Sequence, residues 1–402
     1  MSPDHTYPGV YVEEVPSRPA PIAGVPTSIT AFVGYTRIGP IDEPVMIDAF
    51  VDFERIFGGL WAESTLGHAV QQCFANGGAK AVVVRLAGTS PDPGAELSGD
   101  ATARTGMHAL RKADLFTLLC IPPLRVAGLA GAPTGSADVP IAAWVEASRL
   151  CRDRRALLIV DAPGGWDTPA AVGGMASFGG LVLPNAAMYF PRVRAADPLA
   201  GGAVREFAPS GAVAGVISRI DATRGVWKAP AGTEATLRGV QGLSVNGQPA
   251  TPTEQDCGTL NALGLNCLRT LPTGSHVVWG ARTLDGAHAS DWKYVSVRRL
   301  LLYIEESIDR GTQWAALEPN GEPLWARLRS AVTGFLEPLW RAGAFQGTTS
   351  RDAYFVKCDR TTMTQDDLDN GRLIMLVGVA PLRPAEFVIF RIQHVTASAP
   401  NA

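Results

Sequence analysis

The side chains that could do chemistry in this chain of 402 residues are six histidines, six cysteines and a carboxylate that ends an apolar run. A zinc site needs three or four Cys or His ligands at short, fixed spacings. Cys73, Cys120, Cys151, Cys257, Cys267 and Cys358 are scattered, with no C-x-x-C and no histidine at zinc spacing. They read as reduced, mostly buried thiols, and no metal or cofactor is expected. His68 and His108 fall on expected helices, and His276 and His288 in expected loops. No ligand set surrounds them, so each reads as structural or solvent-facing.

The fingerprints of phosphate binding and nucleophilic catalysis are missing. The chain has no G-x-x-x-x-G-K-[ST], no G-x-G-x-x-G, no G-x-S-x-G and no H-E-x-x-H. Ser210 to Gly215, reading SGAVAG, comes nearest to a phosphate cradle, but it lacks the lysine and the preceding buried strand and reads as a turn. Asp161 follows Leu157 to Val160, where a strand-end carboxylate could sit in a ligand crevice. The preferred reading is that it caps the turn at Pro163 to Gly165. Arg298 and Arg299, beside Glu305 and Glu306, read as a solvated or inter-subunit helix face.

Composition narrows the classes. Lys and Arg total 35 against 38 Asp and Glu, a net charge of −3, without a basic cluster to track phosphates, so a nucleic-acid partner is not expected. Apolar runs never exceed five residues, as at Leu373 to Val377, so neither a membrane span nor membrane insertion is expected. The start, Met1 to His5, has no basic and apolar leader, which implies assembly in the cytoplasm without a signal peptide. With 43 glycines and 30 prolines the chain is loop-rich, yet still folded.

The elements fall into four stretches. Residues 1–24 form an extended arm broken by Pro3, Pro8, Pro16, Pro19 and Pro21, with one short strand at Val10 to Val15 between the prolines. That strand suits a sheet edge or a strand lent to another sheet. Residues 25–285 alternate β-like runs with helical stretches. The runs are Ile29 to Thr36, Ala81 to Arg85, Phe116 to Ile121, Ala156 to Val160, and Leu181 to Pro184 with Met188 to Phe190 beyond. Helical spacing marks Gly67 to Asn76 and Ile141 to Arg152. This is the pattern of a βαβ-type α/β domain with a largely parallel sheet, carrying surface excursions near 87–105 and 127–140. From 196 to 290 only short strands and turns are expected, around Val240 to Val245 and Val277 to Thr283.

Residues 286–386 read as an α+β core. Val297, Leu301, Ile304 and Ile308 trace a helix with Ser296 as cap and Gly311 as its stop. A second stripe, Leu324 to Leu339, should kink or split at Pro338. Strands at Ala353 to Cys358 and Leu373 to Val379, with a capped helix opened by Thr364, complete it. Residues 387–402 supply a final alternating strand, Phe387 to Ile392, and an arm.

At this point the residues resemble a family. YPGVYVEEV at Tyr7 to Val15 and TAFVG at Thr30 to Gly34 look like the N-terminus of contractile tail sheath proteins. PSGAVAG at Pro209 to Gly215, RGVWKAP at Arg224 to Pro230 and VWGARTL at Val278 to Leu284 resemble that family's middle. WKYVSVRRL at Trp292 to Leu300, EPN at Glu318 to Asn320, Leu324 with Trp325, GAFQG at Gly343 to Gly347, FVKCD at Phe355 to Asp359 and APLRPAEFV at Ala380 to Val388 follow in the family's order.

The resemblance implies a structural function in which hexameric rings stack helically around an inner tube and contract to drive it through a target envelope. It implies as partners other copies of the chain, the tube protein, and baseplate and terminal cap proteins. In such proteins the arms lend strands to neighbours' C-terminal domains. Carried onto this chain, the donated strands are Val10, Tyr11, Val12 and Glu13 at one end and Phe387, Val388, Ile389 and Phe390 at the other, with Pro16, Pro19, Pro21 and Gly24 as hinge. The compact length fits phage-derived injection particles and pyocin-like tails better than large myophage tails. The particle would be a phage tail or tail-like body, with release on lysis left open. The alternative is an α/β enzyme with no recognised motif, because fold class alone does not give function.

Overall fold

The computed structural model describes residues 21–125, 138–287 and 290–386. The chain divides into two compact units: Val25–Glu305 with the segment from Pro381, and Glu306–Ala380 with the segment up to Gly24.

The larger unit is built on an eight-stranded sheet. Its strands are β1 (Ile29–Gly34), β2 (Val45–Ile47), β3 (Lys80–Arg85), β4 (Leu118–Cys120), β5 (Leu157–Asp161), β6 (Ala186–Phe190), and, after a second sheet, β11 (Leu265–Thr270) and β12 (His276–Val278). The spatial order is β12-β11-β6-β5-β4-β1-β3-β2. Every neighbouring pair from β11 to β3 is parallel, and β12 and β2 close the two edges antiparallel. A sheet covered on both faces needs apolar residues at successive positions, and β5 reads Leu-Leu-Ile-Val with all five strand residues buried. Alternate residues feed two cores. Leu158, Val160, Val82 and Val84 enter one, while Leu157, Ile159, Ala81 and Val83 enter the other. The largely parallel sheet inferred from alternation is present.

A smaller antiparallel sheet has the order β10-β9-β7-β8, from β7 (Arg192–Asp197), β8 (Ala203–Phe207), β9 (Val240–Val245) and β10 (Gln248–Pro249). Helices of this unit are α1 (Phe50–Phe57), α2 (Leu66–Asn76), α3 (Pro93–Ser98), α4 (Ile141–Asp153), α5 (Thr168–Gly174), α6 (Ser210–Arg224) and α7 (Glu254–Ala262). The sequence between 196 and 290 suggested only strands and turns, so α6 and α7 are additions. Apolar periodicity is absent in α6 because its residues from Ser210 to Ser218 are all buried. Within 87–105, α3 is capped by Asp92 and buries Leu97, so that excursion carries its own anchored turn. Leu183–Asn185 is a short 3-10 turn rather than strand.

Close approach of α2 and α6 explains two glycines. A Cβ on Gly211 would lie 2.2 Å from the Ala69 carbonyl oxygen, and one on Gly215 2.3 Å from that of Cys73. No side chain fits either place.

Helix α8 (Val295–Thr312) passes from one unit to the other between Glu305 and Glu306. It starts at Val295 and runs to Thr312, so Ser296 lies inside it rather than capping it, and Gly311 lies inside rather than stopping it. Arg299 is not on a solvated face. It is buried against Asp221 of α6 at 2.6 and 2.8 Å, and the same carboxylate accepts from Ser28 Oγ at 2.6 Å. Breaking so enclosed a pair by removing one partner costs about 3–5 kcal/mol. Arg298 reaches Asn185 and Glu305, with its guanidinium over the Trp292 ring.

In the smaller unit α9 (Glu322–Arg341) is unbroken, Pro338 included. Only its last turn follows Pro338, and bonds from Ala342 N to Pro338 O and from Ala344 N to Leu339 O close that end. Leu324, Trp325 and Leu328 of α9 form a core with Cys358 and Met363. The rest is α10 (Ser350–Ala353), β13 (Tyr354–Lys357), α11 (Gln365–Asp369) and β14 (Leu376–Val379). Thr364 caps α11 in a reciprocal box with Asp367, as its sequence indicated. Among the described residues no helix is long and apolar enough to cross a membrane.

Candidate assembly surface

Strands β13 and β14 pair antiparallel, with Phe355 opposite Gly378 and Val356 opposite Val377. Alternation sends Tyr354 toward the unit's interior, where its ring lies 6.3 Å from Phe345 and its hydroxyl donates to Glu337 at 2.6 Å. Phe355 takes the opposite face and is 52% exposed, as is half of Leu376. A Cβ on Gly378 would lie 2.1 Å from the Phe355 ring, so the ring lies across bare backbone. Among the described residues no third strand joins either edge. Two strands alone are marginal in water, and a sheet of this size with an exposed aromatic face is suited to accept further strands.

Pro21 and Gly24 are exposed and in no regular element, while Ile22 between them is buried. Ile22 lies on α8 where Gly311 leaves room, since a Cβ there would come 2.7 Å from Ile22 Cγ2. Pro16, Pro19 and the strand residues Val10, Tyr11, Val12 and Glu13 lie outside the described residues, as do Phe387, Val388, Ile389 and Phe390. Immediately before that second group, Glu386 accepts from Arg282 Nε and Nη2 at 2.7 Å each and from Tyr294 OH at 3.1 Å, with Lys293 Nζ 3.6 Å away. Burial alone would push this carboxyl up, but those hydrogen bonds and the Arg282 and Lys293 charges outweigh it and hold it below the usual range.

The strand-end carboxylate has a different task from turn capping. Asp161 Oδ1 accepts from Ser210 N at 2.8 Å and Oδ2 from Ser210 Oγ at 2.6 Å, so a residue of β5 caps α6. Burial pushes its pKa up to about 6, against the pull of Ser210 and Arg192. The SGAVAG stretch is therefore the first turn of a buried helix, its N-terminus already filled. His68 is buried against Asp197 at 3.1 Å and stacked on Phe207, and His108 is buried 3.3 Å from Glu146. His276 Nδ1 lies 2.9 Å from Thr270 Oγ1, and His288 lies outside the described residues. All six cysteines are buried and unbridged. No cluster of His, Cys, Asp and Glu among the described residues could hold a metal. Sequence reasoning missed the Glu386 clamp and the Ile22 seat because their partners lie far off in the chain.

The model of the phage tail sheath C-terminal domain matches residues 287–394. No curated protein matches the chain. Among solved structures it is similar to the PVC sheath complex of an extracellular contractile injection system in its contracted state. The two are 29% identical over 96% of this chain and 97% of that one, with a TM-score of 0.75. It is also similar to the contracted helical sheath of the anti-feeding prophage, at 28% identity over 96% and 98% of the chains with a TM-score of 0.76. A chain of that prophage's six-fold symmetrised baseplate is 28% identical over 97% and 99%, with a TM-score of 0.73. Residues 287–394 thus match a phage tail sheath C-terminal domain, and the chain is similar to contractile sheath proteins along nearly all its length.

Proposed function

We propose that this chain is the subunit of a contractile sheath whose hexameric rings stack helically around an inner tube and contract to drive it through a target envelope. Its partners are other copies of itself, the tube protein, and baseplate and cap proteins, with assembly in the cytoplasm as part of a tail-like particle. Residues 1–24 act as an N-terminal arm, 25–285 as the α/β middle, 286–386 as the C-terminal sheath core and 387–402 as the second arm. Val10 to Glu13 and Phe387 to Phe390 add strands to β13–β14 sheets of neighbours. The observation that carries this reading is that sheet: two strands, both edges open among the described residues, in a chain alike to contracted sheaths.

Contraction then leaves the paired strands intact while Pro16, Pro19, Pro21 and Gly24 absorb the change, as hinges do at a few loop positions. With Ile22 seated on α8, the six residues from Pro16 to Pro21 span roughly 20 Å when extended toward a neighbour. No observation favours the enzymatic alternative. The test compares the full chain with a chain lacking residues 1–20 and with Val12→Pro, by electron microscopy and thermal melting. Both variants should melt cooperatively and form no tubes. Normal tubes from the truncated chain would remove the donated-strand reading at that end. A Val12→Cys cross-link to a neighbouring strand should leave the extended sheath able to contract.

A further inference from the structure

Two of the six thiols face each other. Cys257 stands on α7 and shares its inward face with Leu260, one turn on. Cys267 stands in β11 on the same face as Leu265, and all four side chains enter one core. The Cys267 thiol donates a hydrogen bond to the Cys257 sulfur. That bond leads the influences that lower the Cys257 pKa; the Arg269 charge adds to it, while burial, Asp256 and Glu254 oppose it. The other five thiols are pushed up, Cys267 by donating that bond and the rest by burial. Cys257 is also the outer member of the pair, 8% exposed against 3%. Its neighbour Gly258 has no atom within 4 Å of where a side chain would begin, so that flank of the helix is open.

We propose that Cys257 and Cys267 form a reversible redox latch, which closes into a disulfide on exposure to hydrogen peroxide. The Cys257 thiolate attacks one peroxide oxygen, the O–O bond breaks, and the leaving hydroxide takes up a proton as water. The Cys267 sulfur then attacks the sulfenic acid formed on Cys257. The S–O bond breaks, an S–S bond forms, and the departing hydroxide takes the Cys267 proton as a second water. Two thiols lose two electrons and one peroxide gains them. Hydrogen-bonded sulfurs have only to close to the roughly 2 Å of an S–S bond. In a reducing compartment the latch stays open. The latch ties α7 to β11, and both elements hold Arg282: Asn261 O of α7 accepts from its Nη1, and Asn266 of β11 accepts from its main-chain N. Closing it therefore stiffens the seat of the Glu386 clamp. The proposal concerns the single chain and stands whether or not copies assemble.

The experiment treats the purified full-length chain with hydrogen peroxide, unfolds it in an alkylating reagent and maps its peptides by mass spectrometry without reduction. The peptides holding Cys257 and Cys267 should appear joined, two hydrogens lighter than their sum, with the other four cysteines alkylated. The oxidised chain should melt about 5 °C higher, the effect of closing so short a loop, and dithiothreitol should restore the starting value. Proteinase K should cut residues 381–386 more slowly in the oxidised chain. In Cys267→Ala the sulfenic acid on Cys257 has no partner and should advance to sulfinic acid, with no rise in melting temperature. Recovery of both cysteines alkylated from the oxidised wild-type chain would overturn the proposal, and that result needs no variant to fold. Pairing of either cysteine elsewhere, or sulfinic acid on Cys257 of the wild-type chain, would overturn it as well.

Discussion

Glu386 is clamped at two points by Arg282, Nε to Oε1 and Nη2 to Oε2, each at 2.7 Å, across 104 positions of sequence. The pair fixes the last described residue to the loop that follows β12. Glu386→Gln should lower stability by roughly 1–3 kcal/mol and expose residues 381–386 to proteolysis, because a buried guanidinium loses its counter-charge. The pH dependence has a definite sign. A carboxyl held below its usual range stabilises above the ordinary glutamate range and loses that contribution as pH falls through its folded value. Urea titrations of wild type and variant should therefore converge in acid and separate at neutral pH.

Asp161 predicts the opposite slope. Its pKa of about 6 in the fold lies above the ordinary carboxyl value, so its contribution is complete below about pH 4 and is lost as pH rises through 6. The loss is at most about 3 kcal/mol. Asp161→Asn keeps a side-chain oxygen for Ser210 N and should flatten the stability profile between pH 4 and 6. A variant with the wild-type slope in that window would show that another group titrates there.

Gly211→Ala should destabilise by more than 2 kcal/mol, since the new methyl has to displace the backbone of α2 rather than a side chain. Gly258→Ala, also on a helix but with no atom within 4 Å of its added carbon, should be neutral or stabilising by up to about 1 kcal/mol. Denaturant midpoints of the two variants give the comparison directly.

Ile22 and Gly311 predict a sign change. Gly311→Ala alone should cost about 1 kcal/mol, because its methyl meets the Ile22 side chain. In an Ile22→Gly background, where no side-chain carbon remains to meet it, the same change should stabilise by about 0.5–1 kcal/mol through helix propensity alone. A double-mutant cycle with no coupling would mean that Ile22 does not rest on this helix.

The strands of the central sheet were legible because burial on both faces leaves uninterrupted apolar runs, as at Leu157 to Val160. Helix α6 was not, for the same reason carried one step further. Buried on every side from Ser210 to Ser218, it has no polar stripe there to set a period, and its small residues read as turn. Ser296 and Gly311 look like a cap and a stop, yet α8 runs from Val295 to Thr312, one residue beyond each, within the usual fraying of helix ends. Arg299 was misread because its partner, Asp221, stands 78 residues away, and no local pattern reveals a buried ion pair. The open β13–β14 sheet was visible as two short strands, but its exposed Phe355 face depends on Gly378, which only the register identifies.

The clamp on Glu386 also has a mechanical meaning. Arg282 does more than hold this carboxylate: its Nη1 donates to Asn261 O at 2.6 Å, and its main chain exchanges two 2.7 Å bonds with the Asn266 side chain. Asn266 lies in β11 and also donates to Met188 O in β6. A pull on the segment beyond residue 386 therefore passes through one arginine and one asparagine into two adjacent strands of the central sheet.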